Sequence, residues 1–363
     1  MFGVPTLLVF FLVLSILVFV HEFGHFIVAK KLGIKVEEFG FGLPPRVWGK
    51  KIGETIYSIN LLPIGGFVRL LGEDVEEESS TKKVGESLKR YFFARSKKER
   101  AVVLLAGVLM NFILGVAIIS YIFTRGVAVP EGVRIDEIMA QSPAEVSELR
   151  VGDVIVRVNN RDIIESQMLI DAIAQERGKT VILTVKRTVE KGVDTIQIKI
   201  TPRQNPPADQ GPLGVRISTA VREVQYPWYK APIEGLMWAI GFSFLILKAL
   251  VNLLYQLVTF QFTRLEVGGP IAIYKATDVA VKQGGLVEVL NLTGLLSINL
   301  AIFNLLPIPA LDGGRLMFVV FEKFIGHRIQ PKAERLAHQI GMILLLVFIA
   351  LVTANDLVRY FKG

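Results

Sequence analysis

Cysteine is absent from the 363-residue chain. Disulfides, thiolate-bound zinc, iron–sulfur clusters and cysteine nucleophiles are thereby excluded. Histidine is scarce, four residues in all, and two of them, His21 and His25, share one five-residue stretch. Charge is thin as well: 20% of residues are charged against 52% hydrophobic, and mean hydropathy is +0.49. Such a chain is too apolar for an ordinary soluble protein and too ordered in composition for a disordered one. The formal net charge of +8 points first to a membrane protein with basic cytoplasmic loops and only second to a nucleic-acid binder. No nucleic-acid partner is expected.

The first apolar run carries no charge from Val4 to Val20 and continues past a short polar motif to Lys30 and Lys31. At ~1.5 Å per residue it is long enough to cross a bilayer. A cleaved leader fits it poorly, because no basic stretch precedes it and no small-x-small site follows. Further spans are expected at Ala101 to Phe123, around Val287 to Leu306, and at roughly Ile340 to Val352. Between the first two spans lie fifteen Lys and Arg residues, from Lys30 to Arg100. That loop is expected in the cytoplasm and the N-terminus outside. The acidic run Glu73, Asp74, Glu76, Glu77 and Glu78 reads as a solvated loop. From Gly126 to about Ile217 the composition becomes that of a soluble domain. Residues 152–160, 180–187 and 194–200 alternate as strands, 168–177 reads as a helix, and 142–153 as a short capped helix with a Gly-Asp turn. By orientation this domain lies outside the cytoplasm.

His21-Glu22-Phe23-Gly24-His25 is an H-E-x-x-H pattern. On a helix, positions i and i+4 share a face, so both imidazoles reach one metal ion, and Glu22 stands where a general base for water is needed. The motif sits within an apolar helix, ~13 Å below the flanking lysines at ~1.5 Å per residue. Ionisable groups at that depth are costly and usually functional. A hydrolytic zinc site takes three protein ligands and leaves one position open. The third is expected to be Asp312, in the stretch from Asn304 to Gly314, where Pro307 and Pro309 break the third span. Non-helical backbone at membrane depth is tolerated only where it lines a polar cavity or is covered by protein. Asn304 either binds substrate backbone and helps hold the oxyanion, or makes an interhelical hydrogen bond. His327 and His338 read as interfacial side chains.

The residues HEFGH with a distal NLLPIPALDGG resemble the site-2 protease family of intramembrane zinc metalloproteases, most closely the bacterial regulator of sigma-E protease type. Phe39 to Gly42, Leu62 to Val68, Ala106 to Asn111 and Gly269 to Ile271 follow in the family's order, with Val108 where the family usually has proline. The resemblance implies Zn²⁺ held by His21, His25 and Asp312, with Glu22 as general base. It implies a PDZ-like domain, for which this chain has room for one rather than a tandem pair. It also implies an extended membrane-dipping loop between the first two spans. Arg46 to Leu62 contains two strand-like runs about a Gly/Lys turn, then Pro63 and the Gly65-Gly66 pair before Phe67. An exposed edge there, with Gly65, Gly66 and Phe67, is expected to hold substrate as an added strand. Such pairing replaces hydrogen bonds that a substrate helix loses on unwinding.

The segment Gly235 to Phe262 decides the topology. If it spans, Asp312 emerges on the side opposite the histidines. If it does not, Asp312 arrives beside them, and Arg315, Lys323, Arg328, Lys332 and Arg335 fall in a cytoplasmic loop. Lys248, Asn252 and Gln256 recur every four residues, so the segment reads as an amphipathic helix on or in the outer leaflet. The expected fold is thus a polytopic α-helical membrane protein of about four transmembrane helices, with a membrane-associated β-hairpin region and one inserted extracytoplasmic PDZ-like α+β domain. The parts are 1–125, 126–218, 219–285 and 286–363. The expected location is the bacterial inner membrane, with both termini outside and the active site toward the cytoplasm. The expected activity is zinc-dependent cleavage of transmembrane segments, with single-span membrane proteins as substrates: an anti-sigma factor already shortened by another protease, or remnant signal peptides. The bilayer, and a peptide end at the PDZ-like domain, are the other partners. A membrane zinc transporter or a PDZ-bearing scaffold are the competing readings.

Overall fold

The computed structural model describes residues 5–73, 87–189, 192–207, 210–259 and 268–362. Asp74 to Glu78 of the acidic run and residues 260–262 of the ambiguous segment lie outside them. The chain divides into two units, Phe123–Tyr226 and the remainder.

In the larger unit, helix α1 (Thr6–Lys31) leads to two long strands, β1 (Val36–Ile52) and β2 (Thr55–Leu70). Both strands change partner along their length. Residues 36–41 lie between 66–70 and 56–60, so that Phe39 pairs with both Val68 and Tyr57; residues 46–52 pair with 55–60. The result is a four-stranded ribbon in which one edge of 66–70 has no strand partner among the described residues. Buried Glu38 fastens the ribbon internally: it accepts hydrogen bonds from Arg46 Nε (3.1 Å) and Ser58 Oγ (2.6 Å). The distal part exposes Leu43, Val47, Trp48, Ile52, Leu61 and Leu62. Water disfavours such an apolar patch.

Helix α2 (Lys97–Arg125) runs antiparallel to α1, since His25 meets Val103 and His21 meets Asn111. The two backbones touch because both sides carry glycine. A Cβ at Gly24 would stand 2.4 Å from the Ala106 carbonyl oxygen, and one at Gly107 would stand 2.3 Å from His25 Nε2. A small core of Ala29, Ile34, Val36, Leu70, Val103 and Val319 locks the end of α1 to the ribbon and to α2.

The second unit contains β3 (Val127–Ile138), β4 (Val154–Val158), β5 (Arg161–Asp162), α3 (Ser166–Gln175), β6 (Val181–Val189), β7 (Gly192–Ile200) and β8 (Val215–Val224). Its sheet runs β7-β6-β4-β3-β8, with β5 beside β4. Helix α3 buries Leu169, Ala172 and Ile173 in a core with Val133, Ile155 and Leu183. The strands and helix expected near 152–200 are present. The short capped helix expected within 142–153 is absent, and residues 142–148 are instead a run of turns and bends. Ser142 Oγ does accept the Glu145 amide (3.2 Å), but Ala144 N–H goes to Leu213 O (3.1 Å) and Ser147 Oγ takes up the Ala144 carbonyl (2.7 Å). Those bonds draw the backbone groups of Ala144 into other partnerships.

The rest of the larger unit comprises α4 (Ala231–Val258), α5 (Pro270–Val279), a single π-turn (Ala280–Gly284), α6 (Gly285–Leu305), α7 (Asp312–Ile325) and α8 (Pro331–Lys362). Among the described residues, five helical stretches are long and apolar enough to cross a membrane: α1, α2, α4, the α5–α6 run and α8. This is the pattern of a polytopic membrane protein. Helix α4 is the addition to the four spans read from sequence. Lys248 and Asn252 are exposed on it, but so are Met237, Phe244, Leu245, Val251 and Leu254, so its surface is apolar around most of its girth.

The ends of α4 and its connector are placed by contacts. Gly235 packs on Ser120, near the C-terminal end of α2. Thr6 Oγ1 donates to Asp278 Oδ1 (2.7 Å), and Phe10 meets Tyr274 (5.9 Å), so α5 stands at the Thr6 end of α1. Because α1 and α2 are antiparallel, these are one end of the bundle. The chain leaves that end at Ala231 and is back at it by Asp278.

Candidate metal centre

Helix α6 carries the chain from that end toward the histidines. Gly294 packs against Ile119, and Ser297 Oγ donates to the Asn111 carbonyl (2.7 Å), so α6 descends antiparallel to α2. Pro307 and Pro309 then stop the helix, and the loop 306–311 delivers Asp312 as the first residue of α7. Asp312 Oδ2 lies 2.8 Å from His21 Nε2 and 3.2 Å from His25 Nε2, and the two Nε2 atoms are 3.2 Å apart. Among the described residues this is the one group of three that could hold a metal ion.

The donor set fits zinc. Two imidazoles and a carboxylate are the nitrogen and oxygen ligands of a hydrolytic site with one position open. Ligand atoms ~2.0 Å from a tetrahedral ion stand roughly 3.3 Å apart, close to the separations here. The outer ring nitrogens are also arranged for it. His25 Nδ1 is 2.8 Å from the Val103 carbonyl, to which it donates, leaving the Nε2 lone pair free. On His21, Nδ1 has the Asn111 amide 3.4 Å away, while Asn111 Oδ1 is buried with no partner among the described residues. Turning the amide over resolves both: His21 Nδ1–H then donates to Oδ1, and its Nε2 is likewise free for a metal.

Glu22 is held on the strand side of α1. Its Oε2 accepts the Val68 backbone N–H (3.2 Å), at the edge of residues 66–70 that no described strand pairs. A cavity of about 290 Å³ opens there, lined by Glu22, His25, Phe67, Val68, Asp312 and Arg315. Arg315 pairs with Glu73 across it.

Of the expected substrate contacts, Phe67 lines this cavity. Gly66 lies beside Glu22, with its Cβ position 3.9 Å from Glu22 Cγ. Gly65 takes a φ of +79° against Val18, a conformation glycine adopts without strain. Asn304 is half-buried in the last turn of α6, does not line the cavity, and makes no side-chain hydrogen bond to a described residue. His327 is exposed. His338 is not a simple interfacial side chain: it lines the cavity and accepts the Ala310 N–H.

Four contributors were missed from sequence. Gly107 and Val103 carry no chemical group that marks them. The Val68 amide is invisible in any residue code. Asn111 did carry a signal, a polar side chain inside an apolar span.

Comparison with known proteins agrees with this geometry. The family model for peptidase family M50 matches residues 9–348. A putative zinc metalloprotease of Rickettsia conorii is 32% identical over 365 residues, covering 97% of this chain and 98% of that protein. One from Clostridium perfringens is 34% identical, covering 96% of this chain and 97% of that protein. The zinc metalloprotease RasP of Shouchella clausii is 30% identical, covering 98% of this chain and all of that protein. With a family match running from the first helix nearly to the end of the last, and a zinc-competent triad within an apolar helix bundle, the chain belongs to peptidase family M50 and is an intramembrane zinc metalloprotease.

Proposed function

We propose that His21, His25 and Asp312 hold the zinc ion and that Glu22 is the general base for cleavage of peptide bonds in or near the transmembrane segments of other proteins. The observation that carries this assignment is the meeting of Asp312 Oδ2 with both Nε2 atoms across 287 or more residues of chain. When bound, zinc polarises the scissile carbonyl and lowers the pKa of water. Glu22 takes a proton from the attacking water and returns it to the leaving amine. Its hydrogen bond to Val68 N–H fixes the carboxylate at the edge where a substrate strand pairs with residues 66–70. Gly66 and Phe67 border that strand, Gly65 gives the turn into it, and Asn304, whose amide bonds no described residue, serves substrate backbone.

Four spans carry this site: α1, α2, the α5–α6 run and α8. Helix α4 lies on or in the leaflet at the end where α1 begins. Support comes from the chain's departure and return at that one end, and from the basic loops, which favour a cytoplasmic position for the opposite end. The parts 1–125, 126–218, 219–285 and 286–363 then serve as site, PDZ-like domain, connector and site. In the PDZ-like domain, β8 has one free edge, but Ser166 of α3 hydrogen-bonds Thr219 of β8 (3.0 Å). A peptide end pairs there only with the part of β8 before Thr219. Among the described residues there is one metal-competent group and no relay of sites for transit, which favours hydrolysis over zinc transport.

The test is Glu22→Gln. Zinc content is retained, while cleavage of a single-span substrate in detergent falls ~10²- to 10⁴-fold. Undiminished proteolysis by that variant overturns the assignment.

A further inference from the structure

We propose that His338 is a positioning residue for the metal centre, acting through the loop that carries Asp312. The inference rests on Asp312 being a zinc ligand, and three observations on that loop lead to it. Ala310, two residues before Asp312, has a φ of +84°, a left-handed conformation that L residues with a side chain avoid. Its backbone N–H goes not to a neighbour in the loop but to His338 Nδ1 on α8, at 2.9 Å. One turn along the same face of α8, Gly341 lets the loop settle directly on the helix: a Cβ there would stand 2.4 Å from the Pro309 carbonyl oxygen and 2.5 Å from Pro309 Cβ.

His338 and Gly341 thus form a seat, one clamping Ala310 and the other admitting Pro309. The imidazole is held in turn by Phe318 of α7, with ring centroids 5.8 Å apart. To accept the Ala310 N–H, Nδ1 must be unprotonated, so the ring proton is on Nε2. That atom is buried without a partner among the described residues, an unfavourable arrangement for a polar group. A leucine or phenylalanine would fill the space without it. The Nδ1 bond is the feature of the imidazole that an apolar side chain lacks. It fixes the strained turn from which Asp312 reaches both histidines.

Three variants of the whole protein in detergent test this by zinc affinity, read by competition with a chromophoric chelator, beside kcat and KM for a single-span substrate. His338→Leu keeps apolar volume but loses the acceptor, and its zinc affinity falls at least tenfold. His338→Asn puts an amide oxygen near the place of Nδ1, and it recovers affinity to within about threefold of wild type. Gly341→Ala leaves the imidazole untouched but displaces Pro309, and weakens zinc as His338→Leu does. At saturating zinc, His338→Leu lowers kcat with KM little changed, since the residue acts on the ligand and not on substrate binding. Wild-type zinc affinity in His338→Leu overturns the proposal, as does equal loss in His338→Leu and His338→Asn, which would mark the position as one of packing alone. Failure of the underlying assignment reads differently: the wild-type protein would bind no zinc, or Asp312→Ala would bind it undiminished.

Discussion

Replacing Gly107 with alanine tests the metal centre from the side opposite its ligands. The added methyl would stand 2.3 Å from His25 Nε2 and 2.8 Å from His21 Cε1. An unstrained contact is ~3.5 Å or more, so the His25 ring must yield by about 1 Å. It has little freedom to do so, because Nδ1 is bonded to Val103 O one turn earlier on the same helix. Moving α1 away relieves the overlap only by opening the contact between Gly24 and Ala106. Overpacking of this kind costs ~1–3 kcal/mol. If that cost falls on the zinc-competent arrangement, affinity drops by about 5- to 150-fold, at ~1.4 kcal/mol per decade. Cleavage suffers further, since misplacement of reacting groups by ~1 Å can lower rate ~10²-fold. The assay is zinc competition against a chelator at fixed pH, with substrate cleavage measured in parallel. Gly241→Ala, where an added Cβ meets nothing within 4 Å, serves as the control and retains both properties. Wild-type zinc affinity in Gly107→Ala would refute the reasoning, because the methyl could then be absorbed without moving either imidazole.

Asn111→Leu removes the partner of His21 Nδ1, and zinc affinity is expected to fall ~10- to 100-fold, as measured by the same competition. Arg100→Met leaves Glu322, 1% exposed, with only the more distant Arg328 guanidinium at 3.8 Å. Breaking a buried pair costs ~3–5 kcal/mol, and the double variant Arg100→Met with Glu322→Leu recovers much of it in thermal unfolding. In the second unit, Asp153 accepts two hydrogen bonds of 2.7 Å from Arg187 and raises the guanidinium pKa above its usual value. Asp153→Asn leaves Arg187 with a weaker acceptor, and a loss of about 2 kcal/mol lowers the melting temperature of this unit by ~8–16 °C, visible by calorimetry of the whole protein.

The functional reading was legible in sequence to the extent that its signals are local or periodic. H-E-x-x-H needs only the 3.6-residue turn of a helix to place His21 and His25 on one face. The apolar runs reveal their helices because a bilayer demands about 20 apolar residues of any span. Pro307 and Pro309 announce the break before Asp312, since neither supplies the N–H that a helix needs. Segment 231–258 was harder: its polar stripe and its apolar bulk support opposite readings, and contacts at Ser120, Asp278 and Tyr274 were needed to place its surroundings.

What the chain offered by itself is therefore the candidate ligand types, the candidate base, the apolar helical runs and the exclusion of sulfur chemistry. Only tertiary structure decided how closely α1 and α2 approach through Gly24 and Gly107, that the edge of residues 66–70 presents Val68 N–H to Glu22, and that His338 accepts the Ala310 N–H in the turn before Asp312. The physical reason is one of range. A motif is written in neighbouring side chains, whereas these contacts join residues 28 to 86 positions apart and use backbone groups or the absence of a Cβ, which no residue pattern displays.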